Sequence, residues 1–360
     1  MILYKNGLVL FNNKFQKLDF LVKDNIFFKI AENIENTNNF EVVNLEGKKV
    51  LPGLFDIHTH GAVGKDFNLA SETDILDILN FYKSEGVTSV YPTVMTDSVE
   101  TITNQLKKIA KIAKHEPIIK GIHLEGPFLN KIYKGAMPEE MLINPSIELF
   151  KAFNDASDNL IKIVTLAPEL DGAYELIKYL NNHNIIASIG HSNATYKEAM
   201  KAIELGAKSF THTFNAMRLT HQHEPGVMGA ALMSIVYTEV ICDGIHVNKD
   251  MVKLLLKNKG LDKVIAITDS MMAAGLGDGE FKLGLNAVTV KNGDALITNT
   301  NIRAGSTLTA SKCLDNIVSF SGLSLEDAIL TMTKNPAKML GLDHITGEIK
   351  EGYLAEFIIK

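Results

Sequence analysis

The sequence predicts an α/β protein, a (β/α)₈ TIM-like barrel with a small β-sandwich domain formed by both chain ends. Between residues 52 and 345, eight short apolar segments alternate with helical ones, the pattern of a parallel barrel. The end segments, 1–51 and 346–360, are β-like, with asparagine-rich turns in the first. Because a hairpin alone is barely stable in water, we expect these two ends to pair into one domain.

The eight strand candidates are short and mostly apolar, and amphipathic segments such as 72–84 and 99–114 separate them. They span residues 54–57, 87–91, 118–122, 161–166, 185–189, 209–211, 238–242 and 264–268. A doubly wound sheet is the structural alternative, but it rarely needs eight parallel strands that end in acids or histidines. Residues 275–298 predict a β excursion after the eighth strand that could cover the mouth of the barrel.

Composition narrows the class of protein. Of 360 residues 46% are hydrophobic and 22% charged, which is ordinary for a globular protein. The net charge of -6 argues against a nucleic-acid surface or a polybasic membrane anchor, and no apolar run is long enough to span a membrane. No signal peptide is apparent, and Cys242 and Cys313 have no metal or redox spacing, so we expect buried thiols in the cytoplasm.

A candidate catalytic carboxylate lies at Glu125. It follows a short apolar run and directly precedes Gly126-Pro127, which ends the strand. A glutamate at the carboxyl end of a buried strand has no packing reason to be there, although one ending a solvated edge strand is the simpler alternative. The interpretation therefore depends on how the other strands end.

Several of the other strands also end in histidine or aspartate. His58 and His60 close the first strand with the i, i+2 spacing that points both rings the same way. His191, His212 and Asp269 follow strands five, six and eight. Singly, each could be a satisfied histidine or a capping aspartate. Together, however, six of the eleven histidines lie at or near strand ends, at positions 58, 60, 123, 191, 212 and 246.

A buried cluster of imidazoles and carboxylates is costly unless a cation holds it together. Nitrogen and oxygen donors without a thiolate suit Zn²⁺ or Fe²⁺, and three protein ligands plus water is the pattern of catalytic zinc. The strand ends therefore predict a metal-dependent hydrolase.

Five sequence segments carry a family resemblance. They are 52–61, 123–128, 190–194, 211–217 with 224–226, and 268–269. Together they resemble the N-acetylglucosamine-6-phosphate deacetylase family of the amidohydrolase superfamily, essentially from end to end of the chain. The resemblance implies hydrolysis of an N-acetyl-hexosamine 6-phosphate to acetate and the free amine sugar phosphate, in a homodimer.

The resemblance also implies roles for individual residues. It places the main metal on Glu125, His191 and His212. His58 and His60 could hold a second ion with Glu125 bridging, but some family members use one metal, so one or two divalent ions per chain are expected. Asp269 matches the aspartate that takes a proton from the attacking water and later protonates the leaving amine. His246 matches the residue that holds the substrate carbonyl. Further substrate contacts are implied at Asn215, Ala216, Ala304 and Gly305.

Two positions depart from the family pattern. The family usually has an arginine before Glu-Pro-Gly that reaches the sugar phosphate, often of the neighbouring subunit, and that position is His223 here. Met137 stands where many members carry histidine or glutamine. Arg218, His221, His223 and Lys134 are the possible substitutes, and Arg218 is one of only two arginines.

A non-phosphorylated sugar or another epimer therefore stays open as the substrate. So does a different amidohydrolase, although strand four ends without the lysine that many of those relatives carboxylate. A non-enzymatic barrel is the alternative from another class, but Glu125, His191, His212 and Asp269 are all retained.

Overall fold

The computed structural model describes residues 1–37 and 39–360. In chain order, the strands are β1 (Ile2–Phe11), β2 (Lys14–Lys23), β3 (Ile26–Ala31), β4 (Glu41–Asn44), β5 (Lys49–Pro52), β6 (Leu54–Thr59), β7 (Gly61–Ala62), β8 (Lys65–Asp66), β9 (Val87–Met95), β10 (Ile122–Glu125), β11 (Ile161–Leu166), β12 (Ile186–Ile189), β13 (Ser209–Phe210), β14 (Tyr237–Ile241), β15 (Val264–Ile267), β16 (Gly279–Leu283), β17 (Asn286–Lys291), β18 (Asp294–Ile297) and β19 (Phe357–Ile359).

The α-helices are α1 (Glu72–Ser84), α2 (Val99–Ala113), α3 (Ile147–Ala156), α4 (Ala173–Asn182), α5 (Tyr196–Glu204), α6 (Gly226–Met233), α7 (Lys249–Lys259), α8 (Ala310–Ser321), α9 (Leu325–Ala328) and α10 (Lys334–Met339). Short 3₁₀ turns span Lys131–Tyr133, Glu139–Met141, Leu261–Lys263 and Ile329–Met332. Within the described residues, none of these helices has the length and apolar character needed to cross a bilayer.

Eight parallel strands form the predicted barrel, in the order β15-β14-β13-β12-β11-β10-β9-β6. The ring closes at the carboxyl ends of β15 and β6, where Asp269 N donates to His58 O at 2.9 Å and His60 N to Ser270 O at 2.8 Å. The fold class is confirmed. The closure also brings the ends of the first and eighth strands together, although more than 200 residues separate them.

The third strand begins later than predicted. Regular pairing starts at Ile122, whereas 118–120 meets β9 only through an isolated bridge, with Val90 N donating to Ile118 O at 2.8 Å. The apolar residues Ile118 and Ile119 are buried in the approach to the strand, so hydrophobicity alone placed the start too early. The strand also ends later than the predicted 118–122, at Glu125, the residue before Gly126-Pro127.

Capping side chains start several helices of the outer ring. Ser71 and Asp74 form a capping box at α1, and Thr195 and Glu198 form another at α5. The apolar side of each helix packs on the barrel wall, as α2 does with Ile102, Leu106 and Ile109.

Both chain ends meet in one six-stranded sheet, ordered β19-β5-β1-β2-β3 with β4 paired to β1. The last strand, β19, pairs antiparallel with β5, so that Phe357 lies opposite Pro52. Phe20 of this sheet is buried, and its ring centroid lies 4.7 Å from that of Tyr4 and 5.1 Å from that of Phe357. The division of the chain at 51/52 and 345/346 remains a prediction, because only Gly53 separates β5 from β6.

The β excursion after the eighth strand is a three-stranded antiparallel sheet, β16-β17-β18. A bridge between Leu296 and Arg303 extends it by one residue pair. The chain then returns to the barrel, because Ser306 N donates to Asp269 O at 2.7 Å. The excursion is therefore anchored beside the carboxyl end of β15.

Candidate metal centre and active site

The candidate ligands lie at or just beyond the carboxyl ends of barrel strands. Glu125 is the last residue of β10, whereas His191, His212 and Asp269 each lie two residues after their strands. These three have positive φ angles of 48°, 29° and 49°. Such a backbone conformation is uncommon for residues other than glycine and is concentrated at functional sites. No sequence pattern had indicated that these three residues share this backbone conformation.

Glu125, His191 and His212 form one compact group. Glu125 Oε1 lies 3.2 Å from His191 Nε2 and 3.1 Å from His212 Nε2, and the two Nε2 atoms are 3.1 Å apart. His191 Nδ1 donates to Tyr133 O at 2.8 Å, which leaves a lone pair on Nε2 in the neutral ring. A lone pair aimed at a carboxylate and a second imidazole is the arrangement of a metal ligand held by an outer hydrogen bond.

A second group shares the Glu125 carboxylate. His58 Nε2 is 3.4 Å from Glu125 Oε1, and His60 Nε2 is 3.3 Å from Glu125 Oε2. Asp269 Oδ1 lies 3.4 Å from His58 Nε2 and 3.1 Å from His60 Nε2. His58 Nδ1 is held by Glu239 Oε2 at 3.1 Å.

The donor atoms fit a bound cation. Within the described part of the chain, the buried atoms His58 Nε2 and Glu125 Oε2 have no hydrogen-bond partner. Buried polar atoms without partners are rare in native proteins because leaving them unpaired is costly. Each group offers three ligand atoms within 4.8 Å of one another, and a divalent ion would satisfy them.

Mutual attraction between acids and imidazoles dominates the electrostatics of the site. Burial alone would raise the pKa of Glu125 and of Asp269, but the neighbouring histidines outweigh it. The pKa of Glu125 is well below its usual range, and that of Asp269 is about 2. Burial lowers the pKa of His58, but Glu125 and Asp269 raise it well above normal. A cation would compete with these protons, so we expect binding to release protons.

His123 lies beside this cluster but has another role. Its Nδ1 donates to Ile57 O at 3.0 Å, and its Nε2 accepts from Thr165 Oγ1 at 2.7 Å. Burial holds its pKa well below normal, so the ring is neutral. With both nitrogens engaged, His123 is a structural histidine.

A cavity of about 250 Å³ opens above the cluster. It is lined by His60, Met95, Glu125, Gly135, Ala136, Met137, His191, His212, Asn215, Ala216, His246, Asp269, Leu283, Asn301, Ile302, Arg303 and Gly305. The wall of this cavity therefore combines candidate metal ligands with five of the predicted substrate residues, which are Met137, Asn215, Ala216, His246 and Gly305.

Three predicted substrate residues do not line this cavity. Ala304 is buried next to the lining residue Gly305. Arg218 lies on the loop before α6, where its Nη1 contacts Asn193 O at 3.4 Å. His223 is exposed on the same loop, with its ring centroid 5.3 Å from that of His221.

His246 is held in one orientation by Asp243. Its Nδ1 lies 2.6 Å from Asp243 Oδ2, and its backbone N donates to Asp243 Oδ1 at 2.7 Å. The other ring nitrogen, Nε2, is the one available to a ligand in the cavity.

Sequence reasoning missed Glu239, Asp243 and Arg303. Glu239 could have been found by the signal that identified Glu125, since it is a lone acid in the apolar strand β14. Arg303 reaches the cavity only because the β excursion folds back over the barrel, and its local sequence carries no sign of this.

The family model described as "Amidohydrolase family" matches residues 49–360. The N-acetylglucosamine-6-phosphate deacetylase of Lysinibacillus sphaericus is 33% identical over 348 residues, covering 96% of this chain and 89% of that protein. The enzyme of that name from Bacillus subtilis (strain 168) is 38% identical over 318 residues, covering 86% and 80%. The N-acetylgalactosamine-6-phosphate deacetylase of Escherichia coli O157:H7 is 33% identical over 322 residues, covering 88% and 85%.

Solved structures agree with these sequence matches. A variant N-acetyl-D-glucosamine-6-phosphate deacetylase from Mycobacterium smegmatis, in complex with N-acetyl-D-glucosamine-6-phosphate, superposes with a TM-score of 0.92 at 28% identity, covering 99% of this chain and 94% of that one. The N-acetylglucosamine-6-phosphate deacetylase of Pasteurella multocida gives 0.93 at 30% identity, with the same coverage. The chain belongs to the amidohydrolase family and, within it, to the N-acetylglucosamine-6-phosphate deacetylases.

Proposed function

We propose that the protein hydrolyses the acetamide of N-acetylglucosamine 6-phosphate, releasing acetate and glucosamine 6-phosphate. The observation that carries the proposal is the convergence of Glu125, Asp269 and four histidines on the floor of one cavity. Relatives whose names specify this reaction match most of the chain, which supports the same substrate class.

We propose Zn²⁺ or Fe²⁺ as the cofactor. Glu125, His191 and His212 would hold the main ion, and His58 and His60 a second one that shares Glu125. All donors are imidazole nitrogens or carboxylate oxygens, which these ions accept. When bound, such an ion supplies a nucleophile at neutral pH by lowering the pKa of water to about 7 and polarises the carbonyl.

Asp269 is proposed as the proton-transfer residue. It lines the cavity, and the neighbouring histidines lower its pKa to about 2, so its carboxylate is ionised at neutral pH. An amide nitrogen leaves only when it is protonated, so the same carboxyl group can deliver that proton to the departing amine. His58 and His60 hold its Oδ1, which fixes the position from which the proton moves.

His246 is proposed to stabilise the developing oxyanion. In its doubly protonated form it keeps one N–H on Asp243 and offers Nε2–H to the carbonyl oxygen. A donor already held in place costs no reorganisation during the reaction, which is why such groups accelerate acyl transfer.

The sugar would contact Met137, Asn215, Ala216 and the Gly305 backbone, all of which line the cavity. Gly305 has a φ of +65°, and a Cβ there would lie 3.1 Å from Asp269 O. Only glycine therefore lets this segment pass so close to the proposed catalytic carboxylate.

We also propose a cytoplasmic homodimer. Leu219 before α6, Met233 at its end and Ile235 after it are 63%, 70% and 83% exposed, and covering such apolar side chains favours association. Both cysteines are free and buried, as in a reducing compartment. Sedimentation velocity would measure the mass, and a monomer at micromolar concentration would refute the dimer.

Acetate release measured side by side on N-acetylglucosamine 6-phosphate, its galacto epimer and plain N-acetylglucosamine tests the substrate. We expect the highest kcat/KM on the gluco phosphate. The galacto epimer is the second candidate because the relative from Escherichia coli O157:H7 is named for it. Release from none of the three sugars by the metal-loaded protein would refute the proposed function.

We expect Asp269→Asn to lower kcat by about 10²- to 10⁴-fold while retaining metal, because the change removes proton transfer and leaves the main ligands in place. Acetate release and metal content would be measured on the same preparation. Wild-type turnover in this variant would contradict the assignment, and loss of metal would show that Asp269 is chiefly a ligand.

A further inference from the structure

We infer that Arg303 binds the phosphate of the substrate; this rests on the proposed function. The inference replaces the expectation that a basic residue near the Glu-Pro-Gly segment takes this role. Arg303 lines the same cavity as His246 and Asp269, whereas Arg218, His223 and Lys134 do not line this cavity of their own chain.

Charge singles out Arg303 among the residues of the cavity wall. Of the described lining residues, it is the only arginine, and none is a lysine. The proposed reaction places the acetamide beside Glu125 and Asp269, so the phosphate must contact another part of the wall. A phosphorylated sugar with its acetamide at the metal end therefore needs a cation at the other end, and Arg303 supplies a charge that stays fixed at any relevant pH.

The guanidinium is already oriented. Its Nε and Nη2 donate to the two carboxylate oxygens of Asp294, each at 3.0 Å. Arginine has five N–H groups, so Nη1 and the second hydrogen of Nη2 remain for another acceptor. The side chain is nevertheless 44% exposed, which leaves it accessible to a ligand. An exposed arginine held in one orientation loses less entropy when it binds an anion than a free one does.

The backbone around Arg303 links it rigidly to the reaction centre. Arg303 bridges to Leu296 of β18, and Ala304 N donates to Ala295 O at 3.0 Å. Two residues later the chain reaches Ser306, whose N–H holds Asp269 O at 2.7 Å. The distance between a phosphate on Arg303 and a proton acceptor at Asp269 is thus set by a short, hydrogen-bonded segment.

The test compares Arg303→Ala with wild type on N-acetylglucosamine 6-phosphate and on plain N-acetylglucosamine. Loss of a charge-assisted hydrogen bond to phosphate should raise KM for the phosphorylated sugar by about 10- to 100-fold. On the plain sugar, kcat/KM should change by less than about twofold. Inhibition by inorganic phosphate should weaken in parallel, which gives a readout of binding that does not depend on turnover of the phosphorylated sugar.

Lys282→Ala is the matched control. Lys282 lies on β16 of the same sheet, is exposed, and does not line the cavity, so this change removes one positive charge from the same part of the molecule. We expect it to leave both KM values within about twofold of wild type. Arg303→Lys should fall between wild type and Arg303→Ala, because it keeps the charge and loses the bidentate geometry. Melting temperature and metal content establish that each variant is folded.

Each outcome is decisive. An equal loss on both sugars would overturn the role of Arg303 and leave the proposed function standing. A selective effect in Arg218→Ala but not in Arg303→Ala would do the same, as would wild type that does not distinguish the two sugars. Wild type that releases acetate from neither sugar would overturn the proposed function and, with it, this inference.

Discussion

The inner and outer ends of the cavity are built in different ways. At the inner end, Glu125, His58 and His60 are almost fully buried and lie on or next to strands of the closed barrel. At the outer end, Arg303 is 44% exposed and belongs to an added β excursion, and His223 lies on an exposed loop. Strand ends locked by a barrel hold reacting groups with little freedom, whereas loops and added sheets can change without disturbing that core.

The difference assigns separate tasks to the two ends. We propose that bond cleavage depends on groups whose spacing is set by the barrel, and that choice of substrate depends on groups at the rim. Changes at the inner end should therefore affect metal binding and kcat, and changes at the outer end should affect KM for particular sugars. The substitutions below test that separation, in order of decreasing expected effect.

Glu125→Gln should have the largest effect, because its carboxylate is shared by both candidate metal groups. We expect loss of bound metal and a fall in kcat/KM of about a thousandfold or more, since both the nucleophile and the polarised carbonyl depend on the ion. Plasma mass spectrometry and acetate release would measure the two. Glu175→Gln, at an exposed position on α4, is the control. Full metal content in Glu125→Gln would contradict the proposed centre.

Glu239→Gln should have an intermediate effect. Its Oε2 holds His58 Nδ1 at 3.1 Å and accepts from His212 N at 3.2 Å, so it orients two candidate ligands without belonging to the main metal group. Outer partners of metal-bound histidines typically contribute about 10- to 100-fold to affinity. Chelator competition would measure the change. Affinity within twofold of wild type would mean that the barrel alone orients these rings.

Arg218→Ala should have the smallest effect of the three. The side chain lies outside the cavity wall and contacts Asn193 O at 3.4 Å. A solvent-screened charge at this distance should change KM for the phosphorylated sugar by less than about fivefold. Steady-state kinetics beside Arg303→Ala would measure it. An effect as large as that of Arg303→Ala would show that the outer loop reaches the ligand.

The sequence was most informative where chemistry conflicts with local packing. Glu125 at the end of an apolar strand, and His58 and His60 two residues apart, stand out because burying such groups needs a reason. Glu239 shows the same conflict, but it lies inside its strand and not at the strand end where the predicted ligands lie. The start of the third strand was misplaced because apolar residues precede it in the buried approach.

Proximity along the chain does not predict which basic side chain lines the rim of the cavity. Arg218 is close to the Asn215–Ala216 segment along the chain, but its side chain lies outside the cavity. Arg303 follows almost ninety residues later and lines that cavity through the pairing of β18 with the segment after it. Pairing between segments this far apart depends on long-range hydrogen bonds that local patterns do not encode.

From the sequence alone came the barrel, the strand ends that carry imidazoles and carboxylates, and the class of chemistry, because apolar periodicity and costly buried polar groups are local signals. Only the tertiary structure decided which of these groups lie within contact distance of one another. The 3.1–3.4 Å contacts among Glu125 and its histidines exist because the ring of strands closes between β15 and β6. The fold of the β excursion likewise decided that Arg303 is the basic side chain at the rim, because distance along the chain does not determine distance across a cavity.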